Sequence, residues 1–359
     1  MPLKRPAAGG EENAEKRKPK KGLGRMQQDS EQIRSEKSRI EEQIRALYEK
    51  REELARLEKT AAKGAKQNGS LAERLALSIR ETERMFPKYA TVACQGAKGA
   101  YSQQAAEQVF AYPNIVYVKT FAAVFAAIEK GLCEYGVLPI ENSTAGSVNQ
   151  IYDLMQAHRF NIVRSVRIKV NHNLLAKPGT EKAQITDIYS HPQAIAQCAE
   201  YLKQFPFAVV HEVANTAVAA KLVAESPSDT AAALASVHCA QEYPLELLEA
   251  NVQDRDNNYT RFICISKQLK IFPGANRTSV MAVLTHRRGS LYRILKVLND
   301  YDCNLTKLES RPRQGRDFEF QFYFDFETSV YEPRFAELLT VLQNECEEFE
   351  YLGSYEELV

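Results

Sequence analysis

The hydrophobic rhythm of the chain changes near residue 86. From Asp29 the apolar residues fall at helical spacing: Ile33, Ile40, Leu47 and Leu54 stand seven apart, with Ile44 in an intermediate slot. That pattern predicts a helix with one apolar face. A break at Gly64 and Asn68-Gly69 precedes a second amphipathic helix, "LAERLALSIRETERMF". Beyond it, short apolar runs alternate with helical stretches. "ATVACQG" reads as a strand, and "AKGAYSQQAAEQVF" as a loop entering a helix that Ser102 can cap. "NIVYVKTFAAVFAAIEKGLCEYGVLPIENSTAGSV" gives a strand, a helix and a strand ending at Glu141-Asn142-Ser143. This alternation predicts the α/β class. "VANTAVAAKLV" and "TAAALASVHCAQEYPLELL" read as small-residue helices packed closely on a sheet. The last eighty residues read as β-α-β-β-α-β: strands "SVMAVLT", "NLTKLES", "FEFQFYFDF" and "FEYLGSY", helices "SLYRILKVLNDY" and "EPRFAELLTVLQNE".

Polar residues interrupt this pattern at three places. In "DNNYTRF", residues 256–262, three polar residues lead to a tyrosine and an apolar-rich strand. If the strand starts near Tyr259, alternation points Thr260 and Phe262 to one face and Arg261 to the other. Glu141-Asn142-Ser143 brings a carboxylate, an amide and a hydroxyl to the carboxyl end of a strand, where open α/β sheets bind ligands. The same residues also suit plain capping of the next turn, with Gly146 relaxing the backbone. In "IYSHPQAIAQC", Ser190 can cap a helix and Gln197 lies two turns further on. His191, beside a proline at a helix start, suits a structural role or that of a general base.

Composition narrows the function classes. At 359 residues and 44% hydrophobic, the chain can bury a real core in two or three domains. Seven scattered cysteines with no CxxC pair fit reduced thiols, and argue against a disulfide framework or a zinc site. No apolar run reaches the ~18 residues of a membrane span, and the basic N-terminus lacks the apolar segment of a signal peptide. The expectation is a cytoplasmic protein that inserts in no membrane. The net charge of +1 conceals a basic tail: residues 1–26 hold eight Lys/Arg and three Glu, a balance of +5, leaving −4 for the rest. Such a tail reads as solvated and disordered, and the acidic remainder gives nucleic acid no basic footprint.

Two family resemblances organise these signals. "IRSEKSRIEEQIRALYEKREELA" resembles the first helix of the all-helical chorismate mutases, with Arg34 and Arg51 at that family's substrate-binding arginines. Read from spacing alone, Arg51 suits equally a snorkelling position at the edge of a helix pair. One helix of that family has no counterpart, so the segment reads as an incomplete mutase. "CQGAKGAYSQQAA", "GVLPIENSTAGSV", "VNHNLLA", "SHPQAIAQC", "ANTAVAA", "AAALAS" and "NVQDRDNNYTRF" occur in the order and spacing of the prephenate dehydratases, from about Ala90 to Ile265. "RTSVMAVLTHRRGSLYRILKVLNDYDCNLTKLESRPRQGRDFEFQFYFDFE" resembles the ACT regulatory domain that this family carries.

The resemblance implies a disordered tail over 1–27, a mutase-like helical segment over 28–88, a two-lobed, periplasmic-binding-protein-like α/β dehydratase domain over 89–267, and an α+β ACT domain over 277–356. It implies that the chain crosses to the second lobe near 164–171 and returns near Thr260. The implied activity is dehydration and decarboxylation of prephenate to phenylpyruvate in L-phenylalanine biosynthesis, without metal or cofactor. Thr260 would carry the dehydration, with Glu141 and Asn142 as further catalytic residues. Ser143, Ser190, Gln197, Arg261 and Phe262 would line the substrate; Arg261 would hold a carboxylate unless it turns away to pair with an acid. "GSLY" (Gly289, Ser290, Leu291, Tyr292) and "ESRP" (Glu309, Ser310, Arg311, Pro312) match the family's phenylalanine-binding motifs, although Arg288 replaces the usual proline. ACT domains pair side by side, which implies a homodimer or homotetramer. Two alternatives stand beside this reading: a bifunctional enzyme that also isomerises chorismate, and an amino-acid sensor without catalysis.

Overall fold

The structure, a computed structural model, describes residues 85–313 and 319–359. The expectations for the tail over 1–27, for residues 28–84 and for Arg34 and Arg51 lie outside the described residues.

A first sheet begins with β1 (Tyr89–Gln95), β2 (Tyr112–Val118), β3 (Tyr135–Asn142), the two-residue β4 (Gly146–Ser147) and β5 (Asn161–Lys169). β1 pairs in parallel with β2 and with β3, and the helices Tyr101–Val109 and Phe121–Glu129 make the crossovers. Ala100, not Ser102, is the N-cap of the first of these helices. Ser102 Oγ instead donates to the Gln95 carbonyl at 2.7 Å, tying the helix start to the end of β1.

The chain leaves through 170–172 for a second sheet of β6 (Asn173–Ala176), β7 (Asp187–Ser190), β8 (Val209–Glu212), β9 (Ala231–Ala235) and β10 (Glu246–Glu249), in the order β10-β6-β9-β7-β8. It returns through 250–258 to β11 (Tyr259–Ser266), which lies antiparallel between β3 and β5. Two lobes are thus joined by two crossing segments, and the returning one delivers Thr260.

One predicted helix is a strand. The helix expected in 213–223 forms as Thr216–Glu225, with the Asn215 side chain accepting from the Val218 amide. Residues 230–248 instead give β9, a short helix His238–Glu242 and β10. All five residues of β9 are buried, and successive side chains enter different cores, Ala233 one and Leu234 the other. A strand covered on both faces carries no period-2 alternation to reveal it, and alanine lets the covering helix approach closely.

The C-terminal part folds as β12 (Arg277–Val283), helix Ser290–Asp300, β13 (Asn304–Pro312), β14 (Phe320–Glu327), helix Phe335–Asn344 and β15 (Glu348–Leu358). These strands pair antiparallel in the order β13-β14-β12-β15. The two helices bury Ile294, Leu298, Leu338 and Leu342 against Phe324 and Phe326. β15 runs past its predicted end: Glu356–Leu358 pair in parallel with Arg164–Val166 of β5, joining the C-terminal strands and the first sheet into one sheet of ten strands. Gly353 permits this approach. It holds φ at +144°, and a Cβ there would lie 2.2 Å from the Ile162 carbonyl oxygen, a contact only glycine avoids.

Candidate active site

A β-bulge decides which side chains face the cleft. Against β3, β11 pairs Thr260 with Asn142, Arg261 with Glu141, and then Phe262 with Pro139. Ile140 is left without a partner on β11, so the alternation of β3 reverses beyond it. Before the bulge, Val137 packs in the core shared with Phe262, while Leu138 and Ile140 pack in the core shared with Ile263. Simple period-2 counting would set Asn142 on the side of Ile140. The bulge turns it to the side of Thr260 instead, and puts Glu141 on the side of Arg261. Bulges beside active sites commonly re-aim a side chain in this way.

Asn142 is then fixed in orientation. Its Oδ1 accepts from the backbone amides of Thr144 (3.1 Å) and Ala145 (2.9 Å) and from Thr144 Oγ1 at 2.7 Å. Its Nδ2 therefore points the other way, donating to Thr260 Oγ1 at 2.9 Å and to Asn258 Oδ1 at 2.7 Å. Asn258 Nδ2 donates to Gln197 Oε1 at 2.9 Å, and Gln197 Nε2 donates to Thr144 Oγ1 at 3.0 Å, closing a ring that spans both lobes. Because Gln197 Oε1 is an acceptor, His172 must donate to it through Nε2, at 2.8 Å. Burial lowers the pKa of His172, favouring the neutral imidazole. The outcome for Thr260 is specific. Its oxygen accepts from Asn142, which leaves its own O–H hydrogen to donate elsewhere, and polarises that donor.

Sequence motifs thus bring Thr260, Asn142 and Gln197 together at the lobe junction. Asn258 and Thr144 complete the ring, and His172 braces Gln197 from outside it; all three stand inside the quoted motifs, but nothing in their spacing marks them out. Other expected residues are placed differently. Arg261 is 4% exposed and turned from the cleft, donating to Glu141 Oε1 at 3.0 Å, Asp325 Oδ2 at 2.6 Å and the Tyr355 hydroxyl at 2.9 Å. Its donors face acids inside the fold, so it does not reach a substrate carboxylate. Glu141 is committed to the same pairing. Burial works to raise its pKa, but Arg261 and Lys307 beside it outweigh that and hold the carboxyl below its ordinary value. That environment favours the ionised carboxylate over the protonated acid.

Phe262 is buried in the core beside Val166 and Ile168. Ser190 is fully buried and donates to the Leu234 carbonyl at 2.7 Å, holding β7 to β9. Ser143 Oγ donates to the Asn257 carbonyl and accepts from the Tyr259 amide, fixing the start of β11. His191 is the N-cap of helix Pro192–Gln197, its Nδ1 accepting from the Gln193 amide.

In the C-terminal part, Gly289 precedes its helix in the left-handed conformation, φ +81°. Ser290 is buried and accepts from Arg293, Leu291 packs on the domain core, and Tyr292 is exposed. Glu309 and Arg311 turn toward the dehydratase lobe, accepting from Ser147 Oγ at 2.5 Å and donating to Asp153 at 2.8 Å. Ser310 and Pro312 stand on the exposed face of β13.

Comparison with known proteins fits this geometry. The prephenate dehydratase family model matches residues 92–270. Arogenate dehydratase/prephenate dehydratase 6, chloroplastic, of Arabidopsis thaliana is 38% identical over 286 residues, covering 74% of this chain and 68% of that protein. Arogenate dehydratase/prephenate dehydratase 1, chloroplastic, of the same plant is 35% identical, covering 82% of each. Among solved structures, prephenate dehydratase in complex with L-Phe from Arthrobacter aurescens superposes with a TM-score of 0.68 at 27% identity, covering 74% of this chain and 89% of that one. GqqA, described as a novel type of quorum quenching acylase, gives a TM-score of 0.68 at 32% identity, over 74% of this chain and 98% of that one. By sequence and by fold, the chain belongs to the prephenate dehydratase family and is a dehydratase of the lyase class.

Proposed function

We propose that the chain converts prephenate to phenylpyruvate, with Thr260 donating its hydroxyl hydrogen bond to the departing ring oxygen. The observation that carries this reading is the Asn142–Thr260 contact, in which the amide donates and the hydroxyl hydrogen is left for the ligand. Prephenate is a cyclohexadienol bearing two carboxylates. In the reaction the bond to the ring carboxylate breaks and CO2 leaves. Its electron pair enters the ring, which becomes aromatic, and the ring hydroxyl departs with a proton as water. Aromatisation supplies the driving force, so the protein needs chiefly to orient the ring and stabilise the leaving oxygen. A preoriented hydroxyl at the junction of two lobes suits that task.

The relatives named for arogenate support a second substrate for the same site, the analogue with an amino group in place of the keto oxygen. We propose further that the β12–β15 part is an ACT domain and that L-phenylalanine inhibits through it. The Arthrobacter aurescens structure holding L-Phe supports this, as does the left-handed Gly289 at the helix entrance. The dimer or tetramer is proposed with it, because an effector site between paired domains needs a second copy. Chorismate isomerisation by the N-terminal segment remains the alternative activity. A cytoplasmic location is proposed on the seven cysteines, none of them in a disulfide, which fits a reducing compartment; recovery of the protein in a plastid fraction would replace it.

The test is incubation of the purified chain, separately, with prephenate, arogenate, chorismate and an N-acyl homoserine lactone. Phenylpyruvate, phenylalanine, prephenate and free homoserine lactone are followed. Phenylpyruvate from prephenate is expected. Turnover of the acyl compound alone would replace the dehydratase reading.

A further inference from the structure

Arg261 is the meeting point of groups far apart in sequence. Besides Glu141 of β3, Asp325 of β14 and Tyr355 of β15, its Nε lies 3.2 Å from Glu357 Oε2 at the end of β15. Across β11 and β5, Arg261 stands directly opposite Arg167. Two like charges so placed repel, and Glu357 lies between them, 2.6 Å from Arg167. The parallel pairing of β15 with β5 is what brings that carboxylate in. On the other side, Lys307 of β13 reaches Glu141 Oε2 at 3.0 Å and donates to Ser147 of β4 at 2.7 Å. The C-terminal sheet thus holds both members of the Arg261–Glu141 pair.

Those two residues flank the reacting pair. Glu141 precedes Asn142, Arg261 follows Thr260, and the bulge falls immediately beyond them. With side chains alternating across the sheet, the Arg261–Glu141 pair fixes from behind the backbone that presents Thr260 and Asn142 to the cleft. A buried guanidinium tolerates no loss of its anions, so the C-terminal sheet constrains the bulge rather than merely touching it. We propose that Arg261 and Glu141 are positioning residues, through which the C-terminal sheet holds Thr260 and Asn142 in catalytic register: Asp325 and Glu357 act on Arg261, and Lys307 acts on Glu141. This rests on the dehydration role of Thr260.

The test uses the full chain carrying Asp325→Asn or Lys307→Met, with Arg313→Met as a control that removes a pairing with Glu348 in the same part of the chain. Each variant is first shown to unfold cooperatively with unchanged circular dichroism. The expectation is a roughly ten-fold fall in kcat with KM within about two-fold, because an interaction made only in the transition state is lost. Arg313→Met should leave kcat unchanged. Arg261→Lys keeps the charge but loses the planar fork, and should fall at least as far as Asp325→Asn.

A merely structural role is separated by the double variant. In a Thr260→Val background Asp325→Asn should cost little more, since the hydroxyl being positioned is already gone. Full additivity, or wild-type kcat in both folded single variants, would overturn the proposal. Full turnover in Thr260→Val alone would instead overturn the role of Thr260 and leave the function of the Arg261 network to be assigned anew.

Discussion

Asn142 and Thr260 face each other across β3 and β11, amide nitrogen to hydroxyl oxygen at 2.9 Å, on the cleft side of a sheet whose other side carries Glu141 and Arg261 at 3.0 Å. Strand alternation sets the polar pair and the charged pair on opposite faces, and the bulge beyond them decides which face each takes.

Thr260→Val nearly preserves volume and removes the hydroxyl. Prephenate turnover should fall about two orders of magnitude or more, the size seen when a single preorganised donor to a developing oxyanion is lost. Equilibrium binding of prephenate should persist. Rapid-quench measurement of phenylpyruvate together with calorimetric titration checks both parts.

Glu141 makes stability depend on acid. Arg261 and Lys307 hold its folded pKa below the ordinary glutamate value of ~4.3, so the folded state favours the ionised form. Its contribution is therefore fully present above that ordinary value and is lost as pH falls through the lower, folded one. Urea midpoints measured from pH 6 downward should decline on this account, and Glu141→Gln should flatten the decline while lowering stability at neutral pH.

Gly353→Ala should destabilise strongly. The new Cβ meets backbone, not a flexible side chain, and the residue keeps a positive φ. A cost of about 3 kcal/mol or more is expected, visible as a lower melting temperature. Replacing Gly146 by alanine meets no atom within 4 Å and should cost only its backbone strain at φ +80°.

L-phenylalanine should inhibit the wild type, and Gly289→Val should weaken that inhibition with basal turnover largely preserved. No atom lies within 4 Å of a Cβ there, so the effect comes from φ +81°, which a β-branched residue resists. Steady-state rates with and without L-phenylalanine decide it. Failure of saturating effector to bind or inhibit would reduce the C-terminal part to an assembly role.

Much of this was legible in the chain. Alternation alone separated Arg261 from Thr260 and Phe262, and the β-α-β-β-α-β order followed from runs such as "FEFQFYFDF". Three things were not legible. The strand β9 lacked a period because both its faces are covered. The bulge at Ile140 leaves no sequence mark, so the facing of Glu141 and Asn142 could not be counted out. The partners of Arg261 at Asp325 and Glu357 lie 64 and 96 positions away, and only the pairing of β15 with β5 brings the second of them near. Ser190 and Phe262 look like ligand contacts by their place in motifs, yet each satisfies the fold itself.

The hydrogen bonds between Glu356–Leu358 and Arg164–Val166 bear on how such chains can be recombined. A chimera cut at the connector between β11 and β12 would look modular on a map of the gene. Its donor half would arrive with a last strand tailored to another protein's β5, and the recipient's Arg167 and Arg261 would have an acid between them only if that strand carried one where Glu357 stands here. An exchange that respects the molecule has to carry β5, or at least its arginines, along with the C-terminal part.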